Sequence, residues 1–304
     1  MMEPMNLCNT HSLAAALVVA LPVLAAAPAV PGPARPEAAA EAGLAALEAR
    51  SGGRLGVFAI DTASGARIGH RAGERFPLCS TFKAILAGAV LHRSQRQPGF
   101  LEQRIRFGRQ DLVSHSPIAE QHLEGSLTVA EMAAATVQTS DNTAANQLMA
   151  RLGGPAGLTA FARSIGNRTF RLDHWETALN SAIPGDPRDT DTPAGMGTSL
   201  QALVLGTALG PPQRQRLQDW LIGTTTGDRR VRAGVPSGWQ VGDKTGSCGA
   251  YGTANDVAVL WPPDRAPIVL AVFHTQADPA AAAQDGVIAE AATIVAGAFR
   301  PAGR

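Results

Sequence analysis

Ser80 and Lys83 stand three residues apart in the run Ser80-Thr81-Phe82-Lys83, a spacing that puts both side chains on one face of a helix, a turn apart. A serine hydroxyl becomes a nucleophile only when a neighbour takes its proton. A free lysine, with a pKa of about 10.4, cannot do that at neutral pH, but a desolvated lysine near other cations can. Ser140-Asp141-Asn142 adds a second hydroxyl and an amide that can point into a cleft, and Lys244-Thr245-Gly246, followed by Ser247, adds a second ammonium and two more hydroxyls. Taken singly, each run also fits an ordinary surface: a helix face, a helix-end cap, a strand ending in a glycine turn. The lysines tip the balance. Of 26 basic residues only Lys83 and Lys244 are lysine, and both fall in these runs. Unlike arginine, lysine is a compact point charge that can lose its proton.

Periodicity shows what must position these groups. Residues 54–61 read as a strand, 62–65 as a hairpin turn and 66–71 as its partner strand. Pro77 precedes a helix over about 80–96 whose apolar face is Phe82, Ile85, Leu86, Ala89 and Val90. Thr128 and Glu131 form a capping box opening a helix to about 139. Further helices are predicted at 143–152, 155–165, 199–209 and 212–222, strands at 239–243, 256–261 and 268–274, and a closing helix from about 279. Strands at both ends around helices predict an α/β domain built from 36–71 and 222–304, interrupted by an all-helical domain at 72–221. Residues 170–192, with Pro184, Gly185 and Pro187, show no period; so long a loop is usually functional or disordered.

The 304 residues, 45% hydrophobic and 17% charged, supply a sizeable core and exclude a disordered chain. A net charge of +1 and 5% aromatics argue against nucleic-acid partners. Seven histidines show no His-x-His or His-Glu-x-x-His spacing, so no metal is expected, and no motif asks for a cofactor. Residues 13–30 form an apolar run too short for a bilayer span and broken by Pro22 and Pro28. Ala25 and Ala27 fit a leader cleavage site, with a cut after Ala29 as the alternative. The reading is a signal peptide at 1–29, cut near 27–29, and a secreted or periplasmic protein without a membrane span. One feature departs from that pattern: the first basic side chain is Arg35, after the run. Cleavage removes Cys8 and leaves Cys79 and Cys248, candidates for one disulfide, with two separate buried thiols as the alternative. Each abuts a lysine motif, which favours pairing; a closed loop of about 170 residues sets an upper figure of roughly 5 kcal/mol.

In order and spacing the three motifs resemble those of class A serine β-lactamases and the related penicillin-binding transpeptidases, over nearly the whole mature chain. The resemblance implies an α/β plus all-α fold of that type: an antiparallel sheet flanked by helices, with an inserted helical domain. Arg171-Leu-Asp-His-Trp-Glu176-Thr-Ala-Leu-Asn180 matches the family's Ω-loop, about 171–189 here. By resemblance Ser80 is the nucleophile, Lys83 and Glu176 share the general-base work, and Ser140 relays a proton to the leaving nitrogen. Backbone N–H groups of Ser80 and Ser247 form the oxyanion hole. Asn142 and Asn180 contact substrate and its water; Lys244, Thr245, Ser247 and Arg230 bind the substrate carboxylate; His115 stands at the cleft mouth. The resemblance to the carbapenem-hydrolysing subgroup rests on Cys79 and Cys248, which it pairs, and on Tyr251-Gly-Thr-Ala-Asn-Asp256. The implied activity is hydrolysis of penicillins, cephalosporins and carbapenems by a monomer acting on small β-lactam substrates. Competing readings are a D-Ala-D-Ala peptidase and a β-lactam receptor that traps ligand; Glu176, generally lacking in the transpeptidases, favours the hydrolase. His174 stands where many members carry an arginine tied to the aspartate here numbered Asp189, which predicts a weaker, pH-dependent tie and a looser loop.

Overall fold

Four eight-residue runs, Arg54–Asp61, Gln240–Ser247, Ala254–Trp261 and Ile268–Thr275, are buried along nearly their whole length; all but the polar Gln240–Ser247 are also largely apolar, the pattern of strands buried on both faces. In a computed structural model describing residues 1–2 and 35–300 they form one antiparallel sheet. In chain order the elements are α1 (Pro36–Ser51), β1 (Arg54–Asp61), β2 (Arg67–His70), β3 (Phe76–Pro77), α2 (Phe82–Ser94), β4 (Arg104–Arg106), β5 (Ser126–Thr128), α3 (Val129–Gln138) and α4 (Asn142–Arg151). They continue with α5 (Gly154–Ser164), β6 (Thr190–Asp191), α6 (Pro193–Val204), α7 (Pro211–Ile222), α8 (Val231–Gly234), β7 (Gln240–Ser247), β8 (Ala254–Trp261), β9 (Ile268–Thr275) and α9 (Asp285–Ala298).

The strands lie in the order β2-β1-β9-β8-β7, so the two chain ends meet as β1 pairs with β9, Phe58 opposite Ala271. Alternation along each strand sends side chains to two cores. Val257, Val259, Val269, Ala271 and Phe273 join the core of α2–α7. Ala258, Leu260, Ile268, Leu270 and Val272 join Leu44 and Leu47 of α1 and Ile288 and Val295 of α9. Each fully buried Val, Leu or Ile contributes roughly 1.5–3 kcal/mol, so β7, at the edge, is fixed by packing as well as by its ladder to β8.

The structure corrects several sequence-based boundaries. Helix α1 has no counterpart among the predicted elements: the Ala-rich stretch from Pro36 is good helix former, with Pro at its first turn and Gly52 ending it at φ 71°. α6 starts at Pro193, six residues before the predicted 199, because Thr192 accepts the Gly195 N–H as its cap. α9 begins at Asp285, not near 279. The Thr128–Glu131 capping box is present. The apolar run 13–30, its cleavage sites and Cys8 lie outside the described residues. Among the described residues no helix is long and apolar enough to cross a membrane, and no group of three or more His, Cys, Asp or Glu gathers as for a metal.

Candidate active site

Ser80 sits in a short 3-10 turn, Cys79–Thr81, that opens directly into α2. Cys79 before it is held at φ 43°, a conformation costly for a non-glycine residue and sustained by the surroundings. Those surroundings are explicit: Thr81 Oγ1 donates to Leu78 O at 2.7 Å, Asn255 Nδ2 donates to Pro77 O at 2.8 Å, and Cys79 is disulfide-bonded to Cys248, with Cα atoms 5.1 Å apart. Strand β7 lies against this turn. A Cβ at Gly246 would meet Leu78 O and the Thr81 N–H at about 3 Å, so only glycine lets the strand come this close.

Lys83, one turn along α2, is fully buried. Its ammonium donates to Ser80 Oγ at 3.1 Å, to Ser140 O at 2.7 Å and to Asn142 Oδ1, and lies 3.0 Å from Glu176 Oε1. Burial pushes its pKa below the lysine range, opposed by the carboxylates of Glu176 and Asp141. Ser140 is held at φ 60° between α3 and α4, where Asp141 caps α4 by accepting the Ala144 N–H and also accepts the Ile118 and Ala119 N–H groups. Lys244 reaches the same hydroxyl from β7: its Nζ is 3.1 Å from Ser140 Oγ. It too is fully buried, and burial, then the charge of Lys83, lower its pKa to about 7. The two lysines thus flank one serine.

Glu176 enters from the opposite side. Ser80 Oγ is 3.4 Å from its Oε1, and Asn180 Nδ2 donates to its Oε2 at 2.7 Å. Asn146 of α4 holds its backbone at both ends, accepting the Glu176 N–H at 3.0 Å and donating to the Glu176 carbonyl at 2.9 Å. Below it His174 Nδ1 and Asp189 Oδ2 are 2.6 Å apart, and Asp189 Oδ1 accepts the N–H groups of Asp173 and His174. The contact expected from an arginine is therefore made by the histidine.

Arg230 is buried behind the rim. It donates to Gly246 O and Asn255 O at 2.8 Å, to Ser247 Oγ at 2.6 Å and, through Nε, to Asp285 Oδ1 at 2.7 Å. A cavity of about 300 Å³ is lined by Ser80, Ser140, Asn142, Asn180, Thr245, Ser247, Arg230, His115 and Thr226. All but Thr226 were named from the sequence. His115, at φ 60°, has its Nε2 3.1 Å from Thr139 O and an exposed ring edge at the mouth. The sequence reading assigned no supporting role to Asn146, Thr226 (2.6 Å from Thr245 Oγ1), Asn255 or Asp285, nor did it foresee the reach of Asp141 into the 118–119 amides. The arrangement gathers a hydroxyl, two buried ammonium groups, a carboxylate and a guanidinium behind the rim, which suits attack on an acyl group carried by an anionic molecule.

Comparison with known proteins gives the same direction. The profile of the Beta-lactamase enzyme family matches residues 39–299. The carbapenem-hydrolyzing beta-lactamase KPC of Klebsiella oxytoca is 60% identical over 250 residues, covering 82% of this chain and 85% of that one. The beta-lactamase CTX-M-25 of Escherichia coli is 54% identical over 252 residues, 83% of this chain and 86% of the relative. The crystal structure of a beta-lactamase from Desulfarculus baarsii superposes with a TM-score of 0.86 at 55% identity, over 88% of this chain and 99% of that one.

Proposed function

Because the chain belongs to the beta-lactamase enzyme family, as a class A serine enzyme, we propose that its β-lactam hydrolysis runs through an acyl-enzyme on Ser80 and extends to carbapenems. β-Lactam hydrolysis of this kind confers antibiotic resistance. The observation that carries the mechanism is the position of Ser80 Oγ between Lys83 Nζ at 3.1 Å and Glu176 Oε1 at 3.4 Å. In acylation the hydroxyl oxygen bonds to the lactam carbonyl carbon while its proton passes to Lys83 in the neutral amine form that burial favours, or, through water, to Glu176, and on to Lys83. The developing oxyanion is met by the backbone N–H groups of Ser80 and Ser247. Collapse breaks the C–N bond, and the nitrogen takes a proton from Ser140, which takes one in turn from Lys83, so that the proton lost by Ser80 ends on the leaving nitrogen. In deacylation Glu176 takes a proton from water as the water oxygen bonds to the ester carbonyl carbon; the C–O bond to Ser80 then breaks, and the Ser80 oxygen takes that proton back, leaving Glu176 ionised. Lys244, Thr245, Ser247 and Arg230 bind the substrate carboxylate, Asn142 its amide side chain, and His115 borders the entrance.

The carbapenem reading is supported by the likeness to KPC and by the Cys79–Cys248 bridge beside Ser80 and Ser247. Export by the 1–29 leader, action as a monomer, and the division into 36–71 with 222–304 and 72–221 complete the proposal. Hydrolysis of imipenem beside benzylpenicillin, with EDTA present, tests the substrate range. Turnover of both is expected; turnover of the penicillin alone removes carbapenems, and stable acylation by both favours a peptidase or receptor.

A further inference from the structure

The carboxylate of Asp191, on β6 where the Ω-loop ends, is fully buried and touches only donors. Thr169 Oγ1 donates to its Oδ1 at 2.6 Å, the Thr192 N–H to the same oxygen at 2.7 Å, and Asn167 Nδ2 to its Oδ2 at 2.7 Å. Asn167 has no freedom to turn its amide over. Its Oδ1 accepts the Thr169 and Phe170 N–H groups at 3.0 Å, and its Nδ2 also donates to Ser199 Oγ at 2.8 Å. The site leaves no slack: a Cβ at Gly195 would run into Thr169 Oγ1, Asp191 Oδ1 and Asn167 Oδ1.

The location gives this cluster its meaning. Asn167 and Thr169 lead into the Ω-loop and Asp191 leads out of it, with Arg171 and Thr190 bridged between the legs. The Asp191 backbone pairs with Phe76 on β3, and Leu78 donates to Asp189 O at 2.8 Å, two residues before Ser80. Arg75 reaches Thr169 O and Thr190 Oγ1 from β3's side, but no cation touches the carboxylate itself. A buried charge is costly unless its hydrogen bonds matter, and here three donors from both legs converge on one group.

We propose that Asp191 is a positioning residue for deacylation: its carboxylate ties the two legs of the Ω-loop neck together, its backbone pairs with the strand leading into Ser80, and the closed neck keeps Glu176 at working distance from the ester. The proposal rests on the assignment of Glu176 as the deacylating base. Burial raises the Asp191 pKa to about 6, against the Thr169, Asn167 and Thr192 hydrogen bonds and the charge of Arg75, as befits a carboxylate kept where desolvation disfavours it.

Asp191→Asn sets an N–H donor against the Asn167 amide on one side or the Thr192 N–H on the other, neither of which can accept it; only the Thr169 hydroxyl can turn, donating to Asn167 Oδ1 instead. The reciprocal double variant Asn167→Asp/Asp191→Asn restores the bonds between the two side chains and to the Thr169, Phe170 and Thr192 N–H groups, with the Ser199 hydroxyl turning from Gly195 O to donate to the new carboxylate at 167. With benzylpenicillin as probe, time-resolved mass spectrometry and stopped-flow separate acylation from deacylation. Asp191→Asn is expected to slow deacylation roughly tenfold to a hundredfold, the cost of misplacing a catalytic group by about an ångström, with acylation within about threefold of the parent. The double variant is expected to recover most of the loss. Should Asp191→Asn fail to fold, Thr169→Val removes one donor and reads the same split. Unchanged deacylation in these variants, while Glu176→Gln traps the acyl-enzyme, overturns the proposal and leaves the base assignment standing. Equal slowing of both steps without recovery in the double variant overturns it as well. Normal turnover by Glu176→Gln removes the base assignment and the proposal together.

Discussion

The cavity has two walls that are built differently. On one side Ser80, Lys83, Ser140 and Lys244 stand on the start of α2, the α3–α4 junction and β7, with both lysines fully buried and packed among two hydrophobic cores. On the other, Glu176 and Asn180 stand on an irregular loop held by discrete polar ties: Asn146 on the Glu176 backbone, His174 on Asp189, and the Asp191 cluster at the neck. Packing fixes the first wall collectively, whereas the second, anchored in the core by Phe170, Leu172 and Leu179, aims Glu176 through a handful of bonds, each of which a single substitution can remove. Damage to the first wall should therefore stop the formation of the acyl-enzyme, and damage to the second should stop its release.

The largest expected effect tests the packed wall. Lys83→Ala removes the group bonded to Ser80, Ser140 and Asn142, and kcat/KM for benzylpenicillin is expected to fall about 10³- to 10⁴-fold, with burst kinetics showing slow acylation. Slow release with normal acylation would break the comparison.

Cys79→Ser comes next. Opening the bridge is expected to cost about 2–4 kcal/mol, read in denaturant titration. The Thr81, Asn255 and Gly246 contacts remain, so penicillin turnover by the soluble fraction is expected to stay within about tenfold of the parent. A full loss of activity in stable protein would show that the bridge, more than packing, shapes this wall.

A smaller effect concerns charge. With its pKa near 7, Lys244 is cationic below that pH and loses its charge above it, so kcat/KM for a carboxylate-bearing β-lactam is expected to fall as pH rises through about 7. Lys244→Arg, which does not titrate, is expected to flatten that alkaline limb; an unchanged limb would assign it to another group. The smallest effect sharpens the loop side. His174→Arg supplies a permanent charge to Asp189 at a part-exposed site, worth roughly 0.2–1 kcal/mol, and is expected to raise Tm by about 1–3 °C while reducing turnover of a bulky cephalosporin such as ceftazidime. No change in either would remove the idea that the histidine loosens the loop.

The same contrast explains what the sequence could reveal. Ser80, Lys83, Lys244 and the Ser140 run are legible because nucleophile and bases must be particular residue types at fixed spacing. The strands around them are legible because two-sided burial writes continuous apolar runs such as Ile268–Thr275. Asn146 was not legible, because it acts through the backbone of a residue thirty positions away and any helix face carries an asparagine as well. Asn255 and Asp285 likewise work by tertiary contact alone. The Lys244-Thr245-Gly246 motif was visible, but the demand for glycine comes from the close passage of β7 over the Ser80 turn, which only the folded chain displays. Helix α1 escaped because its Pro- and Ala-rich start resembles the sequel of a leader.

The central claim, that one wall makes the acyl-enzyme and the other releases it, is tested most directly by intact-mass spectrometry of Glu176→Gln mixed with benzylpenicillin. The predicted result is prompt gain of one penicillin mass on Ser80 and its persistence for at least about a hundred times the parent turnover time. Failure to acylate, or acylation followed by release at the parent rate, would contradict the account.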